Sequence, residues 1–295
     1  MSTAPLAGPA VVATLSSDVD RLVRAEPDVR ADRYDSIHQM RVATRRLRSV
    51  LRSYRTVFDR ADVEALRREL TWLAGVLGVA RDAEVMAERY QSLLSTLPSE
   101  LIVGPVHERL VSTQRAEYTL AHTRVLIALD GERYREIRNR LDGLVERPPT
   151  GAGAGKGASS VFTTALTKDY HRLRVHVRDE FGAASDRKTL ALHDVRKSAK
   201  RLRYSAEAAG NVLGDAADRI AKEAKAVQSV LGDHRDAVES QQLILATAAA
   251  ARTRGEDAFT YGLVHMAEEH HAREAISRYH PSLEALTVAC TALGE

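Results

Sequence analysis

The chain has 295 residues, of which 28% are charged, 44% are hydrophobic and only 5% are aromatic. Alanine, leucine, arginine and glutamate dominate, whereas the β-branched and aromatic runs typical of strands are scarce. The composition therefore predicts an all-α fold with a packed core, and no run approaches the ~20 apolar residues that a membrane-spanning helix needs.

The formal net charge is only +3, so local clusters of charge say more about function than the sum does. The single cysteine, Cys290, excludes an intramolecular disulfide framework and favours a reducing compartment. The first residues carry no basic segment before an apolar stretch, so we expect no signal peptide. A cytoplasmic protein with no membrane attachment is expected.

Hydrophobic periodicity predicts six helices in the first half, in the order 11–24, 35–58, 61–77, 82–94, 100–128 and 133–144. Gly78 and Gly232 are each placed at a helix C-terminus, in a left-handed cap. Asp82 and Asp236 then fall in the first turn or cap of the next helix, where a carboxylate suits the helix dipole. Each break predicts an antiparallel helical hairpin, and about four main helices per half predict a bundle.

Two prolines and alternating glycines near the midpoint predict a flexible linker over residues 148–157. It separates an N-terminal helical half, residues 1–147, from a C-terminal helical half, residues 158–295. The central position of the linker suggests a search for an internal repeat.

Two motifs recur in the same order in both halves. The segment from His38, His-Gln-Met-Arg-Val-Ala-Thr-Arg-Arg-Leu-Arg, matches the segment from His193, His-Asp-Val-Arg-Lys-Ser-Ala-Lys-Arg-Leu-Arg. The segment from Leu77, Leu-Gly-Val-Ala-Arg-Asp-Ala, matches the segment from Leu231, Leu-Gly-Asp-His-Arg-Asp-Ala. These paired matches predict a duplicated half-domain.

Each copy of the first motif places a row of cations along one edge of a helix. The row in the first copy is His38, Arg41, Arg45, Arg48 and Arg52. The row in the second copy is His193, Arg196, Lys200 and Arg203, with Lys197 and Arg201 beside it. The adjoining face of the first helix carries apolar residues that we expect in the core, namely Met40, Leu47, Leu51, Tyr54 and Phe58. Arg46 points away from the row.

Most charge runs on helices are solvated faces in which acidic and basic residues alternate. Here like charges stand three and four positions apart, which costs a few tenths of a kcal/mol per pair. A bound polyanion would offset that repulsion. Arginine forks and lysines suit phosphate oxygens, aromatic residues for base stacking are few, and Gly151–Gly157 lacks the spacing of a phosphate-binding loop. Linear polyphosphate is favoured, and nucleic acid remains the alternative.

These paired motifs resemble those of the CHAD family, the conserved histidine α-helical domain, over nearly the whole chain. The resemblance implies two four-helix bundles related by a pseudo-twofold axis, with basic helices around a central cavity that binds inorganic polyphosphate. It carries the binding role onto both rows, including Lys197 and Arg201. Arg81 and Arg235 match the family's Arg-Asp motif, where a structural role is equally open. The resemblance also implies targeting to polyphosphate granules, as in some members.

Other candidate sites favour structural interpretations. His265 and Glu269 have the four-residue spacing of a metal pair on one helix, but we expect polar surface or pocket residues there and no metal. Cys290 lies in an apolar run and is expected in the core. Neither a nucleophile with a base nor converging carboxylates are evident, so we expect no enzyme and no cofactor. A metal-dependent phosphohydrolase is the catalytic alternative.

Overall fold

The computed structural model describes residues 5–147 and 150–293, and within these ranges it is helical with no strand. The all-α prediction is confirmed. Short 3₁₀ turns at Arg55–Val57 and Ser99–Leu101 and a π-helical turn at Glu108–Ser112 separate some of the helices. The helices in chain order are α1 Ala7–Arg30, α2 Ser36–Ser53, α3 Arg60–Ser95, α4 Thr113–Asp130, α5 Glu132–Glu146, α6 Ala158–Phe181, α7 Ser185–Leu213, α8 Asp215–Thr253, α9 Phe259–Ser277 and α10 Tyr279–Thr291.

The chain folds into two compact units, and each is assembled from both halves of the sequence. Unit 1 comprises the residues up to Gly75, Leu126–Gln228 and the residues from His280 onward. Unit 2 comprises Val76–Val125 and Ser229–Tyr279. The compact units therefore do not coincide with the halves 1–147 and 158–295, and the internal duplication stays a prediction from the sequence.

Helix α2, in unit 1, buries the apolar face that its sequence predicts. Met40, Leu47 and Leu51 are fully buried. The helix ends at Ser53 and not at Phe58 as predicted. Tyr54 turns into the core, where its hydroxyl donates to Ser205 O at 2.8 Å and its ring lies 4.5 Å from that of Phe162. Burial of this ring favours the turn over further helix, because a large aromatic side chain contributes much of the core's apolar area.

Unit 1 is built around α2 and α7, which pack on each other and on α1 and α6. Val195 and Leu202 of α7 are fully buried, as their helical spacing predicts. The cationic rows of α2 and α7 thus belong to helices in direct contact.

The predicted breaks at Gly78 and Gly232 are wrong. Helix α3 continues through Gly78 and helix α8 through Gly232, so Asp82 and Asp236 are interior helical residues and not caps. A glycine costs only about 1 kcal/mol in a helix, and alanine, leucine and arginine around both positions favour helix. No helical hairpin forms at either motif.

The described part of the glycine-rich linker forms backbone hydrogen bonds with neighbouring elements. Gly151 N donates to Val57 O at 3.0 Å and Gly153 N donates to Thr56 O at 2.8 Å. Its other end pairs with the start of α1, where Ala7 N donates to Lys156 O at 2.8 Å. Pro148 and Pro149, also part of that prediction, lie outside the described residues.

Unit 2 has a core of its own, which includes Tyr90, Leu110, Ile244 and Tyr261. Among the helices of the described ranges, none combines the length and the apolarity needed to cross a bilayer.

Candidate functional site

The two cationic rows meet at Lys200, on α7 in unit 1. Burial and, after it, the positive charges of neighbouring arginines together lower the pKa of Lys200 to about 6. These neighbours come from both helices and, with Lys200, form what we call the Lys200 cluster: Arg41 and Arg45 of α2, and Arg196 and Arg203 of α7. The packing of α2 on α7 therefore concentrates positive charge around a part-buried amine.

The cationic row of α2 extends one and two turns beyond the Lys200 cluster. Burial lowers the pKa of Arg48, and Arg67 and Arg52 lower it further. Burial likewise lowers the pKa of Arg52, with Arg67 and Arg172 adding to the effect more than the opposing charge of Asp169. Both side chains thus lie in an environment of net positive charge.

Lys197 and Arg201, two of the predicted cations on α7, form ion pairs with carboxylates. Lys197 Nζ lies 2.6 Å from Asp194 Oδ1, and the pair is on the exposed side of the helix. Arg201 Nε lies 2.5 Å from Asp169 Oδ1, and both side chains are largely buried. These carboxylates partly neutralise the positive charges of Lys197 and Arg201.

Arg203 is also held by a carboxylate, since its Nε donates to Glu207 at 2.6 Å. Its guanidinium lies 5.2 Å from the centre of the Tyr204 ring. This placement fixes the orientation of a guanidinium that still contributes positive charge at Lys200.

Arg46 lies away from the row, as its position in the sequence predicts. Its Nε donates to the buried Asp18 at 2.7 Å, and it also pairs with Glu207. Burial raises the pKa of Asp18, and Arg46 is the main opposing influence. Arg46 therefore joins α2 to α1 and α7 as a structural ion pair.

The predicted histidines lie one turn before the Lys200 cluster on each helix. His38 precedes Arg41 on α2 and His193 precedes Arg196 on α7, and both rings are half-buried. They lie on the helices that carry the rest of the predicted site.

The cationic row of α2 ends, at Arg52, in a pocket that the sequence did not predict. The pocket, of about 710 Å³, is lined by Arg52 and Arg201 from the predicted rows and by further cations from other elements. These further cations are Arg55, Arg60, Arg67, Lys156, Lys168 and Arg172. They could not be found from helical spacing because they come from the 3₁₀ turn, α3, the linker and α6.

Arg81 and Arg235, the candidate residues of the Arg-Asp motif in unit 2, each pair with a glutamate of the same helix. Arg81 Nη1 donates to Glu84 at 2.7 Å, and Arg235 Nε donates to Glu239 at 2.6 Å. Both are pairs within one helix, which fits the structural interpretation of the Arg-Asp motif.

The candidate metal pair of α9, His265 and Glu269, lies on the same helix as one member of a structural ion pair. Glu268, beside the proposed ligand Glu269, is fully buried and forms an ion pair with Arg89. Over the described residues, no group of three or more His, Cys, Asp or Glu side chains is arranged to hold a metal ion. Cys290 is buried, which raises its pKa to about 12 and keeps it a thiol at neutral pH.

Comparison with known proteins decides the family. The family described as CHAD domain matches residues 13–245. This chain belongs to the CHAD family. Two uncharacterized proteins of Mycobacterium tuberculosis, from strains CDC 1551 / Oshkosh and ATCC 25618 / H37Rv, are each 40% identical over 276 residues. The match covers 93% of this chain and 52% of each relative, so the CHAD chain spans about half the length of these curated relatives.

Two solved structures share the fold. PptA from Streptomyces chartreusis matches with a TM-score of 0.76 and 21% identity, over 95% of this chain and 100% of PptA. The CHAD domain from the plant Ricinus communis matches with a TM-score of 0.62 and 20% identity, over 99% of this chain and 94% of the plant domain. At these identities the likeness concerns the CHAD fold alone.

Proposed function

We propose that this CHAD protein binds inorganic polyphosphate along the cationic rows of α2 and α7 without hydrolysing it. The observation that carries the proposal is the Lys200 cluster, in which burial and four arginines lower the pKa of one lysine to about 6. A bound anion would offset the repulsion among these positive charges, and strongly shifted pKa values cluster at functional sites.

Several features support a repeated phosphate as that anion. The cations follow α2 for more than two turns, from Arg41 to Arg52, which suits an extended chain better than one small ion. Arginine guanidinium groups bind phosphate oxygens in pairs. Membership of the CHAD family adds the expectation that the bound polyanion is inorganic polyphosphate.

The cellular role that we propose is to target to, or to organise, cytoplasmic polyphosphate granules. A binder with several cations along one track suits this role, since one long chain can engage more than one protein molecule. The protein requires no cofactor or metal for this function.

Binding of long-chain polyphosphate to the purified protein, measured by calorimetry, tests the proposal. The affinity should fall steeply as salt rises and should increase with chain length, because more bound phosphates release more counterions. Double-stranded DNA at equal phosphate concentration should displace little polyphosphate. Effective displacement by DNA would instead favour the nucleic-acid alternative.

The same preparation tests the proposed absence of catalysis. We expect no phosphate release from polyphosphate with Mg²⁺ or Mn²⁺ present. Metal-dependent release that is lost in His38→Ala or His193→Ala would contradict the proposal and support a phosphohydrolase.

A further inference from the structure

The pocket beside α2 carries a large excess of positive charge, confined to unit 1. Among its lining residues eight are arginine or lysine and two are acidic. The acids are already engaged: Glu64 lies 2.5 Å from Arg67, and Asp169 lies 2.5 Å from Arg201. Ser53 and Ser205 hydroxyls also donate to Asp169, at 3.1 and 2.6 Å. An excess of six positive charges therefore faces the pocket.

The six remaining cations come from five elements, and all six are exposed. Arg52 ends the row of α2, Arg55 lies in the 3₁₀ turn, Arg60 begins α3 and Lys156 lies in the linker. Lys168 and Arg172 stand one turn apart on α6. In the part of the chain that the structure describes, no ion pair joins any of these six to a carboxylate, so their positive charges stay available to a ligand.

Backbone hydrogen bonds fix the wall of the pocket. Gly153 N donates to Thr56 O at 2.8 Å, and a Cβ added at Gly153 would lie 2.8 Å from the Thr56 hydroxyl oxygen. This contact places the linker against the 3₁₀ turn and so brings Lys156 to the same pocket as Arg55. A pocket with a fixed wall loses less entropy when it binds an anion.

Other lining groups suit phosphate oxygens. The hydroxyls of Ser160 and Thr164 line the pocket beside the first turns of α6. The positive end of that helix's dipole favours an anion at this position. No aromatic residue is among the lining residues, so the pocket offers no ring on which a nucleic-acid base could stack.

We propose that this pocket is a second anion-binding site, distinct from the Lys200 cluster, that takes a short run of condensed phosphate. Its excess of six charges suits several linked phosphoryl groups better than a single phosphate or a carboxylate. The occupant is either a free short polyphosphate or a segment of a long chain that also follows α2. Arg45 and Arg52 are seven residues apart, about 10 Å along the helix axis, so one chain can reach both sites.

Tripolyphosphate is the probe for the pocket, and Lys168→Gln/Arg172→Gln is the pocket variant. Both side chains are exposed, so the fold is expected to persist. Arg174→Gln/Arg187→Gln is the matched control, because these arginines are exposed, one also lies on α6, and neither lines the pocket. Binding is measured by calorimetry at low salt.

The wild-type protein should bind tripolyphosphate, and the pocket variant should lose about tenfold or more in affinity, since two charge-assisted contacts disappear. The matched control should bind it as the wild type does, and the cluster variant Arg45→Gln/Lys200→Gln should lose less affinity than the pocket variant. The proposal is overturned if tripolyphosphate does not bind, or if the cluster variant loses its binding and the pocket variant does not.

Long-chain polyphosphate identifies the source of the phosphate. If the occupant is a chain segment, the pocket variant should show a salt dependence of log K that is shallower by about 1 to 1.5, from two lost phosphate contacts. If the occupant is a free short polyphosphate, the pocket variant should lose tripolyphosphate binding but keep the wild-type salt dependence for long-chain polyphosphate.

The proposal that the pocket holds a segment of a long polyphosphate rests on the proposed function. The pocket site and the proposed function are nevertheless tested by different results. Long-chain binding of wild-type affinity in the cluster variant would contradict the proposed function, whereas the tripolyphosphate result depends on the pocket.

Discussion

Lys200 is the residue whose surroundings differ most from those of an ordinary surface lysine. Its amine is largely neutral near pH 7, because burial and four neighbouring arginines lower its pKa to about 6. A polyphosphate chain beside it would add negative charge and raise that pKa again. Binding and protonation of Lys200 should therefore be linked.

This linkage predicts proton uptake when polyphosphate binds at pH 7 to 8. The free protein has Lys200 mostly deprotonated above about pH 6, whereas the bound protein holds the proton to higher pH. Affinity should therefore decrease as pH rises through this range. Calorimetry in buffers of different ionisation enthalpy measures the uptake.

In that experiment Lys200→Gln should take up about one proton fewer than the wild type. Lys222→Gln, which alters a lysine that is 82% exposed on α8, should behave as the wild type does. Equal uptake in the wild type and in Lys200→Gln would show that Lys200 is not at the binding site.

Arg46 has a different role from its neighbours on α2, and its replacement should affect folding more than binding. In Arg46→Gln the buried Asp18 loses its main partner, which should cost on the order of 3 kcal/mol of unfolding free energy. Urea denaturation measures this loss. Polyphosphate affinity of the folded fraction should stay close to that of the wild type.

Asp18→Asn/Arg46→Gln serves as the control, since it removes the uncompensated charge and should recover part of the stability. A wild-type urea midpoint for the Arg46→Gln single variant would contradict the structural role of this ion pair.

At the scale of the helices, the sequence predicts the cationic row of α2 and its buried apolar face because one element contains both. Met40 and Leu47 are buried as their spacing requires. Partners on other helices lie outside such reasoning: the Arg201–Asp169 pair joins α7 to α6. The pocket cations Lys168 and Arg172 become part of one site only through the packing of α6 on α7.

A glycine does not by itself end a helix in this protein. Gly78 and Gly232 lie inside long helices, since one glycine lowers helix propensity without ending the helix. The linker was predicted to be flexible from its composition, but glycines there allow a close backbone approach. A Cβ on Gly151 would lie 2.4 Å from Thr56 O.

The docked linker leads to a prediction about Gly151. Gly151→Ala should lower the free energy of unfolding by about 1 to 3 kcal/mol, because the added methyl group meets backbone atoms of the 3₁₀ turn that cannot rotate away. Gly155→Ala, where nothing lies within 4 Å of the added Cβ, should change stability little. Similar urea midpoints for the two variants would indicate that the linker is not packed as described.

At the scale of the whole molecule, membership of the CHAD family agrees with the all-helical architecture. The chain spans about half the length of the curated relatives that it matches. The CHAD protein carries a cationic surface on α2 and α7, and we propose that this surface binds polyphosphate.

Long-chain polyphosphate binding to Arg45→Glu/Lys200→Glu, measured at fixed low salt, tests that claim most directly. Circular dichroism first confirms that the variant is helical, and Arg174→Glu/Arg187→Glu provides a control with the same change in net charge. We expect the cluster variant to bind long-chain polyphosphate much more weakly, while the control retains nearly all of its affinity. Wild-type affinity in the cluster variant would contradict polyphosphate binding by the Lys200 cluster.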